Sequence, residues 1–123
     1  PWNLKKVYEA CPLVEDRKDR VGTNLSGGEQ QAAAIGRALM SNPRLLMLDE
    51  VSLGLAPVVI EQIYAALPAI TDNGTTVLTV EQDVNQTMRV ADRVQCLLEG
   101  RTVLEGPPGD LSREQIASAY FGI

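Results

Sequence analysis

An α/β fold is predicted by three features of this 123-residue sequence. Two short apolar runs, LLML at 45–48 and TTVLTV at 75–80, have the length and composition of strands. A helical stretch, PVVIEQIYAAL from Pro57, separates them, and a second helical stretch opens at Ser26, ahead of the first run. Strand–helix–strand with a long crossover implies parallel pairing with helices packed on the sheet. The length suits one domain with a sizeable core, and the composition, 45% hydrophobic and 22% charged, is ordinarily globular.

The elements follow in order. NLKKVYEA (3–10) reads as a short helix stopped before Pro12, and VEDRKDR, Val14 to Arg20, as a solvated connector of mixed charge. The helix from Ser26 runs to about Met40, with Ile35, Leu39 and the alanines on one side, and Asn42-Pro43 ends it. LLML is continuously apolar, so both faces of that strand are expected to be buried. Pro57 stands well as a first helical residue. Pro68 is expected to kink or end that helix, and DNG (72–74) turns the chain into a second buried strand at 75–80. Asp83 caps a helix through about Val90, and RVQCLLE and RTVLE flank Gly100 as a hairpin. After the loop PPGD, a last helix starts at Ser112, with Gln115 completing a capping box and Leu111 and Ile116 in staple positions. No internal repeat is visible.

Charge and residue usage exclude several functions. A net charge of -5 argues against general attraction to nucleic acid or to an anionic membrane. Histidine is absent, which removes the commonest general base and metal ligand. Cys11 and Cys96 match no metal or redox spacing, so a reduced cytosolic setting is the default. No apolar run approaches membrane-spanning length, and the N-terminus has no signal-peptide pattern.

Two stretches carry chemistry. In LSGGE (25–29), Ser26 and Glu29 have the spacing of a reciprocal capping box, which explains those two residues without a ligand. It leaves Gly27 and Gly28 unexplained, because glycine costs a helix roughly 1 kcal/mol against alanine. Two residues without Cβ at a helix N-terminus leave N–H groups open to an anion. In LLMLDE (45–50), Asp49 and Glu50 stand at the carboxyl end of a strand, where open α/β sheets bind ligands. One carboxylate can face a metal and the next, after the chain turns, a reacting water; a strand simply ending in two solvated acids is equally compatible with the residues.

In combination, these stretches resemble the ATP-binding subunits of ATP-binding cassette (ABC) transporters. LSGGE matches the family signature, LLMLDE its Walker B strand, SLGLAP (52–57) its D-loop and VEQD (80–83) its switch loop. SLGLAP, VEQ and the closing AYFGI are most similar to the branched-chain amino acid importers. The resemblance implies that Ser26, Gly27 and Gly28, aimed by the capping box with Glu29, bind the γ-phosphate of an ATP held mainly by a second ATPase subunit. It further implies that Asp49 holds Mg2+ through water and that Glu50 is the general base. Gln82 would take the place of a histidine that contacts the γ-phosphate, and Ser52, Leu53, Gly54 and Leu55 would lie at the dimer interface. The implied partners are that second subunit and transmembrane permease subunits, with no nucleic acid, and the implied location is cytoplasmic, on the inner face of the membrane.

The sequence departs from the family pattern at three points. Val51 replaces the usual proline, removing a fixed φ from the turn that aims Glu50, and Ala56 replaces the usual D-loop aspartate. No glycine-rich loop ends in Gly-Lys followed by Ser or Thr, and the lysines are Lys5, Lys6 and Lys18. The adenine-stacking aromatic and the Q-loop glutamine are missing too. The expected structure is therefore a partial P-loop NTPase core without its Walker A half. Residues 1–41 belong to the helical signature part, and 42–123 to Walker B, D-loop, switch loop and the C-terminal hairpin and helix. Such a chain is expected to be inactive alone. The other readings are a non-catalytic fragment that only folds or self-associates, and a DNA-repair or chromosome-type ATPase of the same superfamily. In the family, a strand now absent lies between those matching 75–80 and 93–99. The resemblance thus implies either direct pairing of the 93–105 hairpin with 75–80, or domain-swapped exchange between two copies.

Overall fold

The computed structural model describes residues 1–122; Ile123, the last residue of the AYFGI ending, lies outside the described residues. The chain divides into two compact units, the first ending at Gln82 and the second beginning at Asp83.

The first unit is built on a two-stranded parallel sheet. β1 (Leu45–Asp49) and β2 (Thr76–Val80) pair in register from Leu45↔Thr76 to Asp49↔Val80. Four helices accompany it: α1 (Leu4–Ala10), α2 (Pro12–Glu15), α3 (Gly27–Leu39) and α4 (Pro57–Asp72). α4 packs on β2, and α1 and α3 pack on each other and on α4. Leu39 and Ile70 are fully buried at the centre, with Ile35, Leu46, Leu48 and Leu67 around them. At one end, Trp2 Nε1 donates to Thr75 Oγ1 (3.1 Å), which donates in turn to the Pro43 carbonyl (3.2 Å). This relay satisfies the polar atoms that come with burying an indole and a threonine. Cys11 is buried, and desolvation pushes its thiol pKa up, so it serves as a core residue and not as a nucleophile.

Three expectations need correction in this unit. Only one face of β1 is buried: Leu46 and Leu48 point inward, whereas Leu45 and Met47 are 51% and 69% exposed. β2 is likewise open on the same side, with Leu78 and Val80 52% and 53% exposed. A continuous apolar run fixes what a strand can bury, but a covering layer is needed before the second face is sealed. Second, Pro68 does not end α4, which continues to Asp72. Proline in a helix interior costs about 3 kcal/mol, and burial of Leu67 and Ile70 on either side of it holds the last turn in place. Third, the supposed connector begins as helix, since α2 takes in Val14 and Glu15. Pro12 supplies the pre-set φ of a first helical position there.

The second unit contains α5 (Val84–Val90), β3 (Val94–Leu98), β4 (Arg101–Gly106) and α6 (Arg113–Phe121). The Asp83 side chain accepts from Asn85 N at the start of α5, as expected for a cap. β3 and β4 form the anticipated hairpin, turning through Glu99 and Gly100 at φ +50° and +76°, the doubly positive geometry of a tight hairpin turn. α6 packs on this hairpin through buried Ile116. Its capping box is complete: Gln115 N donates to Ser112 Oγ (3.0 Å) and Ser112 N donates to Gln115 Oε1 (2.8 Å). Among the described residues, β1–β2 and β3–β4 are each a two-stranded sheet.

Candidate functional site

The carboxyl end of β1 is tied to the end of β2 by several specific hydrogen bonds. Asp49 is the last residue of the strand and is exposed; among the described residues its carboxylate has no partner. Glu50 follows with φ +50°, a left-handed conformation that costs a residue with a Cβ about 1–2 kcal/mol. The surroundings over-determine it. Glu50 N donates to the Val80 carbonyl (2.8 Å), and the Glu50 carbonyl accepts from Leu53 N (3.1 Å). Its carboxylate Oε1 accepts from Gln82 Nε2 at 2.9 Å. Strain of this kind, held by neighbours at a strand end, is a common feature of functional turns. Val51 is buried, so its side chain anchors the turn despite lacking a proline's fixed φ.

The structure thus joins Glu50 and Gln82, two of the predicted residues, by a direct hydrogen bond. The sequence reading missed Glu81. Its Oε2 accepts from Ser52 Oγ (2.7 Å), and its Oε1 accepts from Tyr64 OH (2.7 Å) and, at 3.4 Å, from Ser52 N. An acid directly before Gln82, facing a serine two residues after Glu50, was the only available signal. It could not be read without knowing that β1 and β2 end side by side.

The second predicted stretch begins α3. Ser26 Oγ accepts from Glu29 N (3.2 Å), which is half of the expected box. The other half is absent: the Glu29 carboxylate turns to Arg17, with Oε2 3.3 Å from Nε. These two atoms are sealed from solvent and close enough for an ion pair but are not aligned as a hydrogen bond. The guanidinium draws Glu29 away from the neutral Ser26 amide. Among the described residues, the amides of Gly27 and Gly28 have no acceptor.

The two glycines differ in their surroundings. A Cβ on Gly28 would lie 2.1 Å from Val59 Cγ1, so close packing of α3 on α4 demands glycine there. A Cβ on Gly27 would meet Leu55 Cδ2 at 3.5 Å, an ordinary contact. Leu55 belongs to the loop after Glu50, so the start of α3 rests on the loop that Glu81 tethers. Within this loop Gly54 has φ +75°, and Leu53 is exposed.

The donor set can be tested against Mg2+. No group of three or more acidic or sulfur ligands occurs among the described residues, so this is no all-protein cage. One exposed, unpaired carboxylate at Asp49 instead suits Mg2+, which is usually held by one or two carboxylates together with phosphate oxygens and waters.

Residues 2–52 match the family described as ABC transporter. The chain is 44% identical over 120 residues to the high-affinity branched-chain amino acid transport ATP-binding protein BraG of Pseudomonas aeruginosa, covering 97% of this chain and 52% of that protein. It is 32% identical over 110 residues to the lipopolysaccharide export system ATP-binding protein LptB of Escherichia coli, covering 89% of this chain and 46% of that protein. The structure is similar to CbiO1 of Clostridium perfringens, part of the ABC transporter complex CbiONQ, with a TM-score of 0.77 and 28% identity over 91% of this chain and 46% of that one. The chain spans about half the length of the relatives it matches. Its fold is correspondingly a partial α/β core, similar over nearly its whole length to about half of an ATP-binding protein of ABC transporters.

Proposed function

We propose that these residues form the signature, Walker B, D-loop and switch-loop part of an importer's ATPase subunit, with branched-chain amino acids as cargo. The observation that carries this is the Gln82–Glu50 hydrogen bond at the carboxyl end of β1, which holds Glu50 in its left-handed turn. The higher identity to BraG than to LptB favours branched-chain import over lipopolysaccharide export. Placement on the inner face of the cell membrane, beside permease subunits, follows from that reading. No helix among the described residues is long and apolar enough to cross a membrane.

In this reading Glu50 accepts a proton from the attacking water, and Gln82 holds the carboxylate in place by donating to Oε1. A glutamine amide can donate to a phosphate as well, although it carries no proton to give. Bound Mg2+ would offset negative charge on the phosphates, with Asp49 as its protein anchor. Ser26 and the amides of Gly27 and Gly28 serve a nucleotide held by a second copy or a related subunit, and residues 52–55 line that junction. A helix N-terminus contributes about 0.3–1 kcal/mol to an exposed anion and up to ~2 when partly buried. That is at most roughly 30-fold in affinity, so the signature segment completes a nucleotide site without being one.

The same arithmetic bears on the isolated 123 residues, which have no lysine-bearing phosphate loop and are proposed to be inactive alone. The open apolar face of Leu45, Met47, Leu78 and Val80 gives them a reason to self-associate, by exchange of elements between two copies. Phosphate release from this chain with Mg-ATP is expected to equal that of its Glu50→Gln variant, while the intact subunit containing these residues hydrolyses ATP. Release from the chain well above the control would overturn its inactivity. A silent intact subunit would overturn the ATPase reading.

A further inference from the structure

We propose that Glu81 is a positioning residue for hydrolysis, latching the loop after Glu50 to the turn that presents Gln82; this rests on the ATPase reading above. Residues 80, 81 and 82 meet residues 50 and 52 alternately. The Val80 carbonyl accepts from Glu50 N, the Glu81 carboxylate accepts from Ser52, and Gln82 donates to Glu50. Successive side chains of an extended segment point to opposite sides. Fixing Glu81 on Ser52 and Tyr64 therefore also fixes the direction in which Gln82 leaves the backbone.

The latch has the features of a rigid joint. Both carboxylate oxygens are used, each at 2.7 Å from a hydroxyl. Tyr64 is a buried residue of α4, so Glu81 is tied to the core and not only to another loop. Ser52 begins the 52–55 loop, whose Leu55 approaches the start of α3. Gln82 itself is exposed. An exposed glutamine bound only to a carboxylate on a turn has many rotamers, and the latch beside it restricts the backbone from which they start. Glu81 is not placed to touch nucleotide or water, since its oxygens are already occupied.

The test is a double-mutant cycle in the intact subunit, using Glu81→Ala, Gln82→Ala and the pair, with Glu50→Gln as the control. Glu81→Ala is expected to lower kcat roughly tenfold, as small misplacements near a reacting centre do, with KM for Mg-ATP within about twofold of wild type. If Glu81 acts through Gln82, the double variant is no slower than Gln82→Ala alone. Multiplying losses, or a Glu81→Ala kcat equal to wild type while Glu50→Gln is inactive, would overturn the proposal and leave the ATPase reading intact. Full turnover by Glu50→Gln would overturn the general-base role of Glu50, and a wild-type subunit without turnover would overturn the ATPase reading itself. Should Glu81→Ala fail to fold, Glu81→Gln takes its place in the cycle: it keeps one acceptor oxygen, so a smaller loss with the same non-additivity is expected, and additive losses contradict the latch.

Discussion

Replacing Glu50 by glutamine in the intact subunit is expected to slow ATP turnover by roughly 10²–10⁴-fold, the range that a positioned general base contributes. Glutamine has the shape of glutamate and can still accept from Gln82, so the turn is kept, but it cannot take a proton from water. The loss therefore falls on kcat, with KM little changed, because an interaction confined to the transition state has been removed. Steady-state phosphate release over a range of ATP concentrations checks this. Turnover within about twofold of wild type would show that Glu50 is not the base.

The second large effect concerns stability. Gly28→Ala is expected to destabilise the chain by about 1–3 kcal/mol, the usual range for forcing extra atoms into a packed contact. The added Cβ would lie 2.1 Å from Val59 Cγ1 and 3.2 Å from Val59 Cβ. Val59 is β-branched and helical, which leaves its side chain little freedom to rotate away. Adding Val59→Ala should recover part of the loss, giving a favourable coupling between two contacting sites. Gly27→Ala, at an ordinary 3.5 Å from Leu55 Cδ2, should be nearly neutral. Urea denaturation of Gly28→Ala, Val59→Ala, the pair of them together and Gly27→Ala checks the set. Equal effects at positions 27 and 28 would mean that α3 does not rest on α4 as described.

Much of this was legible in the sequence, because the signals were local. Ser26, Asp83 and Ser112 cap the helices they were expected to cap, and the Glu99-Gly100 turn forms where the hairpin pattern placed it. What was missed depended on distant partners. Glu29 satisfies a capping-box spacing, yet Arg17 claims its carboxylate. Gly28 looked like an opening for an anion, and its missing Cβ is also required by Val59, 31 positions further along a different helix. Glu81 bonds residues 29 and 17 positions away, Ser52 and Tyr64, so no window along the chain could contain its role. The apolar runs 45–48 and 75–80 were right as strands and wrong as fully buried ones. Composition records what a strand tolerates, whereas burial requires a second layer over Met47 and Leu78.

The central claim is that the Ser26 segment of one copy completes a nucleotide site on another. Light scattering of the intact Glu50→Gln subunit, with and without Mg-ATP, tests it most directly. The expected result is a dimer mass with Mg-ATP, a monomer mass without it, and a monomer under both conditions when Ser26→Arg is added. A Ser26→Arg protein that dimerises with ATP as readily as its parent would contradict the claim, as would a Glu50→Gln mass that ignores ATP.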